Sequence, residues 1–284
     1  MKKILITGGA GFIGSNLIKK LKDSNYLLTS IDNYSTGKID NEVKGVDYIN
    51  DDIENINNLV NDYDLCFHLA AQSRVQPSFD FPEESFRANV YGTTKVMEWS
   101  RQNNTKIIYA GSSSKHHNPS DSPYAMYKYL GEQVCKLYRK SYGLNVEIAR
   151  FYNVYGPGEN IDEKYGNVIG IWRAKIAKGE PLPIVGDGKQ KRDFIHVYDI
   201  VEGLQKIALS NLSHNDAWEL GTGVNYSINR VYEFFNKRFN VEFENLPDQP
   251  GNYRTTLREN DDTLKLLNWI PKDRLEKHIK SLKI

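Results

Sequence analysis

The sequence predicts an α/β fold in which a doubly wound parallel sheet is followed by a smaller C-terminal α+β domain. Short apolar runs alternate with longer amphipathic stretches as far as residue 150, a glycine-rich turn follows the first run, and the pattern then becomes irregular. Alternation of this kind is typical of βαβ units, whose helices cover both faces of a parallel sheet.

The apolar runs of the first half predict six strands, separated by stretches in which apolar residues recur at helical spacing. Strands are predicted over 4–7, 27–31, 46–49, 65–70, 106–110 and 145–150, and helices over 12–23, 54–61, 83–103 and 123–142. The last helix carries a clear start signal, because Ser122 is a favourable N-cap and Pro123 suits the first helical position.

The chain changes character after Arg150, where glycines and prolines interrupt the alternation. We predict that residues 1–150 form a dinucleotide-binding domain, to which 192–211 returns as one more strand of the sheet and its helix. The remaining segments, 151–191 and 212–284, are predicted to form a substrate-binding domain with helices near 229–239 and 262–268.

The composition argues against several classes of protein. Lys and Arg number 37 against 36 Asp and Glu, so the net charge of +1 provides no basic field for nucleic acid. No apolar run approaches the roughly 20 residues that cross a bilayer, and no signal-peptide profile precedes the first strand. Two cysteines cannot build a disulfide framework. We therefore expect a cytoplasmic protein with no nucleic-acid partner, no membrane partner and no metal site.

The turn after the first strand suits a phosphate-binding loop. Both G-x-G-x-x-G and G-x-x-G-x-x-G are satisfied there by Gly8, Gly9, Gly11 and Gly14. Glycine permits the backbone angles of such a turn and lets a pyrophosphate approach the helix N-terminus. Asp32 ends the second strand 18 residues after Gly14, where a carboxylate can bind a ribose 2′-hydroxyl and repel a 2′-phosphate. This context predicts a Rossmann-type domain that binds NAD.

Tyr124 and Lys128 are four residues apart on the helix predicted over 123–142, so they share one face. A tyrosine with a pKa of ~10 is a poor base at neutral pH, and an ammonium about 4 Å away supplies the order of energy needed to lower that pKa. Tyr127 is adjacent to Lys128 in sequence but projects from another part of the helix surface. The pair therefore predicts Tyr124 as a general base.

A serine that could assist Tyr124 follows the strand predicted over 106–110. Ligands of open α/β sheets bind at the carboxyl ends of the strands, and a hydroxyl there can hold the reacting alcohol. Three serines occur in a row, so both Ser112 and Ser113 remain candidates. No Gly-x-Ser-x-Gly elbow surrounds them, which argues against a hydrolase.

Together these residues resemble the extended short-chain dehydrogenase/reductase family, and within it the NAD-dependent nucleotide-sugar epimerases and dehydratases. The matching segments span nearly the whole chain. In addition to the Ser-Tyr-Lys set they are residues 7–15, 32–33, 52–53, 67–72, 89–90, 92–93, 150–157, 186–188 and 192–197.

The resemblance implies a role for each matching position. The implied catalytic residues are Ser112, Tyr124 and Lys128. The implied NAD-binding residues are Gly8, Gly11, Phe12, Ile13, Gly14, Asp32, Asn33, Ser35, Thr36, Gly37, Asp52, Ile53, Leu69, Ala70, Ala71, Asn89, Tyr124, Lys128 and Tyr152. The implied residues for a nucleotide-sugar substrate are Ser112, Asn153, Asn167, Val168 and Arg192, of which Asn167 and Arg192 would hold the diphosphate.

Two departures from the family pattern concern the substrate. Ser112 lies only 12 residues before Tyr124, and relatives have a longer loop there, so we expect a reshaped sugar pocket. Many relatives also place an arginine before a Gly-Asp pair and use it on a phosphate, whereas this chain has Gln249 at that position. Arg254 is a candidate replacement.

The resemblance leaves a choice of reaction. Dehydratases of the family follow the active-site hydroxyl residue with Asp-Glu, whereas this chain has Ser113 and Ser114, which cannot do the acid and base work of elimination. We therefore predict epimerisation of a UDP-sugar at C4 through a 4-keto intermediate. A nucleotide-sugar 4,6-dehydratase, a reductase or a decarboxylase of the same family, and a non-catalytic dinucleotide-binding module, are the alternatives.

The long helices predicted over 83–103 and 123–142 resemble those through which relatives form homodimers as a four-helix bundle. Their apolar residues Val96, Trp99, Val134 and Tyr138 would serve either that interface or the core. We expect a homodimer.

Overall fold

The computed structural model describes residues 1–59 and 62–284, so the last two residues of the helix predicted over 54–61 lie outside the described part. The strands are β1 (Lys2–Thr7), β2 (Tyr26–Asp32), β3 (Asp47–Asn50), β4 (Leu65–His68), β5 (Lys106–Ser112), β6 (Val146–Phe151), β7 (Asn153–Tyr155), β8 (Leu182–Val185), β9 (Lys191–His196), β10 (Trp218–Leu220), β11 (Asn225–Ser227) and β12 (Phe243–Leu246). The α-helices are α1 (Phe12–Leu21), α2 (Val75–Asp80), α3 (Pro82–Phe86), α4 (Gly92–Asn103), α5 (Pro123–Tyr142), α6 (Val168–Lys178), α7 (Val197–Leu209), α8 (Ile228–Phe239), α9 (Asp262–Leu267) and α10 (Leu275–Ser281).

Seven parallel strands form the central sheet in the order β10-β6-β5-β4-β1-β2-β3. Successive residues of β1 point to opposite faces: Ile4 and Ile6 join the core beneath α1 and α7, and Leu5 joins the core beneath α4 and α5. The strand order reverses between β1 and β4, which opens a crevice at their carboxyl ends. The predicted doubly wound α/β fold is confirmed.

The prediction that 192–197 adds a strand to the central sheet is wrong. β9 instead pairs with β7 and β11 in a separate three-stranded sheet. The place beside β6 is taken by β10, whose Trp218 is fully buried. A short apolar run satisfies either sheet equally well, so the sequence could not decide between them. Only the following helix, α7, returns to pack against α1, β5 and β6.

Two predicted helices take a different form. The segment predicted over 54–61 is a 3₁₀ helix at Ile53–Asn58, begun by Asp52, whose Oδ1 accepts a hydrogen bond from Glu54 N at 2.9 Å. The helix predicted over 83–103 is divided into α3, a π-helical turn at Arg87–Tyr91, and α4. Gly92 lies at the end of that turn, where an added Cβ would come within 2.5 Å of Ile53. This close packing joins the two irregular segments.

α5 begins and ends where the sequence predicts. Ser122 Oγ accepts a hydrogen bond from Ala125 N at 3.1 Å, and Gly143 ends the helix in the left-handed region at φ 65°. Three of the four residues considered for a dimer interface, Val96, Trp99 and Tyr138, lie in the core of the single chain.

A separate core fills the smaller part of the molecule, with Trp172 and Phe235 fully buried between α6 and α8. Over residues 1–59 and 62–284, no helix combines the length and the apolar character required to cross a membrane.

Candidate active site

The glycine turn between β1 and α1 has no room for side chains. Gly8 has a φ of 74°, and a Cβ on it would lie 2.8 Å from Ala70 N. A Cβ on Gly14 would lie 2.2 Å from Gly8 O. Gly11 precedes α1 without a side-chain cap from the described residues, so backbone N–H groups of the first turn remain available to an anion. The turn therefore fits the pyrophosphate of a dinucleotide.

Asp32 supports this turn as well as facing the cleft. Its Oδ2 accepts a hydrogen bond from Ala10 N at 2.9 Å, and its Oδ1 accepts one from Tyr34 N at 2.9 Å. Burial raises the pKa of Asp32, and these backbone bonds act in the opposite direction. Each carboxylate oxygen retains acceptor capacity for a ribose hydroxyl. Nearby, Asn33 Nδ2 donates to Asp52 Oδ2 at 2.8 Å, which joins two more of the predicted positions.

One cleft, with a cavity volume of about 1530 Å³, collects the predicted residues at the carboxyl ends of the strands. Every predicted site residue except Asn89 lines it. Asn89 is buried below the cleft and donates from Nδ2 to Gln72 O at 3.0 Å and to Ser85 Oγ at 3.3 Å. Asn89 therefore fixes the floor of the cleft without lining it.

Tyr124 and Ser112 meet in this cleft. Tyr124 Oη lies 3.3 Å from Ser112 Oγ, and Ser112 also caps the following 3₁₀ turn by accepting from Ser114 N at 3.2 Å. Ser113 lines the same cleft, but the described hydrogen bonds join Tyr124 Oη to Ser112. The geometry therefore favours Ser112 as the hydroxyl that acts with Tyr124.

Lys128 lies behind Tyr124 but binds a different partner. Its Nζ donates to Ala110 O at 2.8 Å, and among the described residues no hydrogen bond joins it to the phenol. Burial lowers the pKa of Lys128 to about 8. Burial also raises the pKa of Tyr124, opposed by the hydrogen bond to Ser112 and by the charge of Arg74. Among the described residues, Lys128 therefore forms its hydrogen bond with the Ala110 carbonyl and not with the phenol.

Tyr127 takes no part in the site, as predicted. Its ring packs edge-on against Phe86, with the ring centroids 5.6 Å apart, on a different part of the surface of α5.

Arg192 enters the cleft without a carboxylate partner among residues 1–59 and 62–284. Its guanidinium donates to Tyr253 O at 2.6 Å and to Asn252 Oδ1 at 2.5 Å. Asp193 is instead bound by Thr222 and by backbone N–H groups. Burial lowers the pKa of Arg192 to about 10, so it stays protonated at neutral pH. Arg192 is therefore not paired with the neighbouring Asp193, and its charge remains available to an anionic ligand.

Two further predicted substrate residues also have structural partners. Asn167 caps α6 by accepting from Gly170 N at 2.7 Å, and its Nδ2 donates to Val154 O at 2.9 Å. Asn153 Nδ2 donates to Thr256 Oγ1 at 3.0 Å. Arg254, the candidate replacement for the missing arginine, is paired with Asp187 at 2.8 Å and so does not fill that role.

A charge cluster beneath Tyr152 was missed by the sequence reasoning. The Arg150 guanidinium is paired with three carboxylates, those of Glu132, Asp216 and Glu219. Glu219 also accepts from Tyr152 Oη at 3.0 Å and lies 3.0 Å from His116 Nε2. That contact raises the pKa of His116. Because His116 directly follows the segment that begins with Ser112, the cluster ties the shortened loop to the edge of the sheet. Among the described residues, no three His, Cys, Asp or Glu side chains lie close enough together to hold a metal ion.

Comparison with known proteins agrees with this geometry. The model of the NAD dependent epimerase/dehydratase family matches residues 4–221. A proposed UDP-glucose 4-epimerase of Methanocaldococcus jannaschii is 34% identical, over 87% of this chain and 86% of its own. UDP-glucuronic acid decarboxylase 1 of Arabidopsis thaliana is 28% identical over 95% of this chain, which spans only 66% of that longer protein.

Solved structures of similar proteins share the fold. UDP-glucose 4-epimerase of Thermotoga maritima, crystallised with UDP-glucose, has a TM-score of 0.90 at 28% identity and covers 98% of this chain and 96% of its own. UDP-glucuronic acid 4-epimerase of Bacillus cereus was crystallised with UDP-glucuronic acid and NAD. It has a TM-score of 0.89 at 27% identity and covers 98% of this chain and 97% of its own. With its glycine turn, its Ser-Tyr-Lys set and a family match over most of its length, this chain belongs to the NAD dependent epimerase/dehydratase family.

Proposed function

We propose that this protein epimerises a nucleotide-diphosphate sugar at C4, on a UDP-sugar, through a transient 4-keto sugar. The observation that supports it most directly is the 3.3 Å contact between Tyr124 Oη and Ser112 Oγ in the cleft that the glycine turn also lines. The two relatives crystallised with UDP-sugars support the choice of nucleotide.

The chain's own residues divide the work of oxidising a 4-hydroxyl. Tyr124 Oη accepts the hydroxyl proton, and Ser112 Oγ holds the same sugar oxygen by a hydrogen bond. Because burial raises the pKa of the phenol, ionisation depends on groups that act against burial, and Ser112 and Arg74 both do so. NAD, when bound, supplies the acceptor for the C4 hydride and returns it. Lys128, held by Ala110 O, keeps a positive charge one helical turn from the phenol below pH 8.

An anchored diphosphate explains how the sugar can turn without escaping. Arg192 and the N-terminus of α6 provide positive charge on the side of the cleft that the smaller domain forms. Binding energy remote from C4 can therefore retain the intermediate. Elimination of water has no acid and base here, since Ser113 and Ser114 follow Ser112 in the lining.

The test is Tyr124→Phe, assayed on a panel of UDP-sugars whose C4 epimers are resolved by chromatography. Loss of a positioned base costs about 10²–10⁴-fold in rate, and we expect turnover to fall by that order without loss of fold. Tyr127→Phe, which removes a hydroxyl from the same helix outside the cleft, is the matched control and should keep full activity. Full turnover by the Tyr124 variant would contradict the proposed mechanism. Net NADH formation or CO₂ release by the wild type would contradict epimerisation.

A further inference from the structure

Arg74 lines the cleft with a positive charge, and the proposed mechanism names no part of the substrate that binds to it. It flanks the N-terminus of α2, where Ser78 Oγ accepts a hydrogen bond from Tyr124 N at 3.0 Å. This bond fixes the first turn of α2 against the first turn of α5. Arg74 therefore lines the cleft on the side that carries Tyr124 and Ser112.

The guanidinium of Arg74 is oriented by a single protein contact. Its Nε donates to Tyr165 O at 2.8 Å, which leaves the two terminal amino groups. Among residues 1–59 and 62–284 these amino groups have no hydrogen-bond partner or ion pair, and they are not sealed from solvent. An arginine fixed through Nε presents its other nitrogens as a rigid fork.

The carboxylates nearest to Arg74 already have partners. Glu159 binds Arg173 through Oε1 at 3.2 Å and Asn167 through Oε2 at 3.0 Å. Asp162 Oδ1 accepts from Tyr165 N at 2.5 Å and from Lys164 N at 3.0 Å. The charges of Glu159 and Asp162 act on Arg74 from a distance, but among residues 1–59 and 62–284 no carboxylate forms an ion pair with it.

The position of Arg74 indicates which part of a ligand it would meet. Arg192 and the N-terminus of α6, assigned above to the diphosphate, belong to the side of the cleft that the smaller domain forms. Arg74 reaches the same side through its bond to Tyr165 O, two residues before the N-cap of α6. The charge of its guanidinium also acts on the Tyr124 phenol, beside which sugar carbon C4 would lie. An anion at Arg74 would therefore lie near sugar carbon C4, where an acidic group of the sugar can reach it. A planar fork of two N–H donors can bind a carboxylate on the sugar through two parallel hydrogen bonds.

We propose that Arg74 binds a carboxylate on the substrate sugar, so that the substrate is an acidic nucleotide-sugar. This inference rests on the proposed function, whose substrate class it narrows. A sugar carboxylate can come from a uronic acid at C6 or from an acidic ether substituent on the ring. The shared chemistry is the carboxylate, and separate ligands distinguish the two sources.

The experiment measures binding to the NAD-loaded protein by calorimetry, with UDP-glucuronic acid and UDP-N-acetylmuramic acid as acidic probes. UDP-glucose and UDP-N-acetylglucosamine are their neutral counterparts. We expect the wild type to bind one acidic probe at least about 10-fold more tightly than its counterpart. Arg74→Gln should weaken the binding of that acidic probe by about 10- to 100-fold and change the affinity for the neutral counterpart by less than about 3-fold.

Two further variants separate recognition from folding. Arg74→Lys keeps the positive charge but lacks the paired N–H donors of the guanidinium. It should therefore weaken the binding of the acidic probe by a smaller factor, about 3- to 10-fold. Arg87→Gln is the matched control, because Arg87 also lines the cleft but is already paired with Glu54 at 2.8 Å. It should leave the preference for the acidic probe unchanged. If Arg74→Gln does not fold, the lysine variant supplies the decisive comparison.

The outcomes distinguish this inference from the proposed function. Equal weakening of acidic and neutral probes in the Arg74 variants, or tighter binding of the neutral probes by the wild type, would overturn the carboxylate assignment. With an acidic substrate, Arg74→Gln should raise KM more than it lowers kcat. Tight, Arg74-dependent binding of an acidic sugar that is never epimerised at C4 would overturn the proposed reaction and leave the carboxylate assignment intact.

Discussion

Tyr124 and Lys128 show what residue spacing can and cannot predict. A separation of four residues places both side chains on one face of α5, and the structure puts both in the cleft. The partner of each polar atom depends on how the preceding strand, β5, packs beside α5. Its Ala110 carbonyl takes the ammonium, and Ser112 at its end takes the phenol. The helix periodicity predicted the shared face, and the run of serines after β5 narrowed the partner of Tyr124 to two residues. The bond between Lys128 and the Ala110 carbonyl was not predictable from any local pattern.

Lys128→Met should stabilise the NAD-free protein while abolishing turnover. A folded-state pKa of about 8 against 10.5 for the free side chain means that burial of the charged lysine opposes folding. The shift corresponds to roughly 3 kcal/mol, from which the lost hydrogen bond to Ala110 O subtracts about 1–1.5 kcal/mol. We expect the free energy of unfolding in urea to rise by about 1–2 kcal/mol at pH 7.

The sign of the pH dependence provides the check on this prediction. Below pH 8 the wild-type lysine is protonated in both the folded and the unfolded chain, so its full cost is present. Between pH 8 and 10.5 the folded protein has released a proton that the unfolded chain retains, so wild-type stability increases with pH. The advantage of the methionine variant should therefore shrink above pH 8. An advantage that grows with pH would contradict a depressed lysine pKa.

At the scale of elements, the glycine turn was predictable and the irregular helices were not. A turn that brings Gly14 against Gly8 O requires residues without a Cβ, and this requirement is visible in the sequence. The 3₁₀ helix at Ile53–Asn58 and the π-helical turn at Arg87–Tyr91 depend on how two distant segments pack. Helical periodicity alone cannot distinguish these forms from a continuous α-helix.

Gly14→Ala should damage the turn more than an ordinary glycine replacement. Its Cβ would meet backbone atoms at 2.2 and 2.8 Å, and backbone cannot move aside without shifting the turn. We expect a loss of about 1–3 kcal/mol in the free energy of unfolding and at least about 10-fold weaker NAD binding, measured by calorimetry.

Gly45→Ala is the matched control for this turn. Gly45 has a φ of 88° and no atom within 4 Å of an added Cβ, so the replacement meets backbone strain but no clash. It should cost about 1–2 kcal/mol and leave NAD affinity unchanged. NAD affinity that survives Gly14→Ala would argue against the pyrophosphate role of the turn.

At the scale of the whole molecule, we propose that α4 and α5 also form the interface of a homodimer. The residues first considered for it are largely core, but Tyr91, Leu137 and Tyr142 remain exposed along these helices. The side chain of Leu137 is 54% exposed on α5. A second copy would bury such side chains as a four-helix bundle does.

Leu137→Glu should therefore convert a dimer into a monomer in sedimentation velocity, because a charge would be placed in an apolar interface. Leu209→Glu is the control, since Leu209 is 61% exposed on α7, away from α4 and α5. It should not alter the sedimentation coefficient. A wild type that sediments as a monomer, or a dimer that survives Leu137→Glu, would contradict the proposed interface.

The sequence by itself determined the doubly wound sheet, the glycine turn and a set of site residues that, except for Asn89, line the cleft. Each depends on local periodicity, on a backbone angle or on a family pattern read along the chain. The tertiary structure alone decided that β9 leaves the central sheet and that Lys128 binds Ala110. It also decided that Arg74 enters the cleft with its fork unpaired by the described residues. These outcomes depend on which distant group satisfies each charge or strand edge, and such competition between partners is settled only when the whole chain packs.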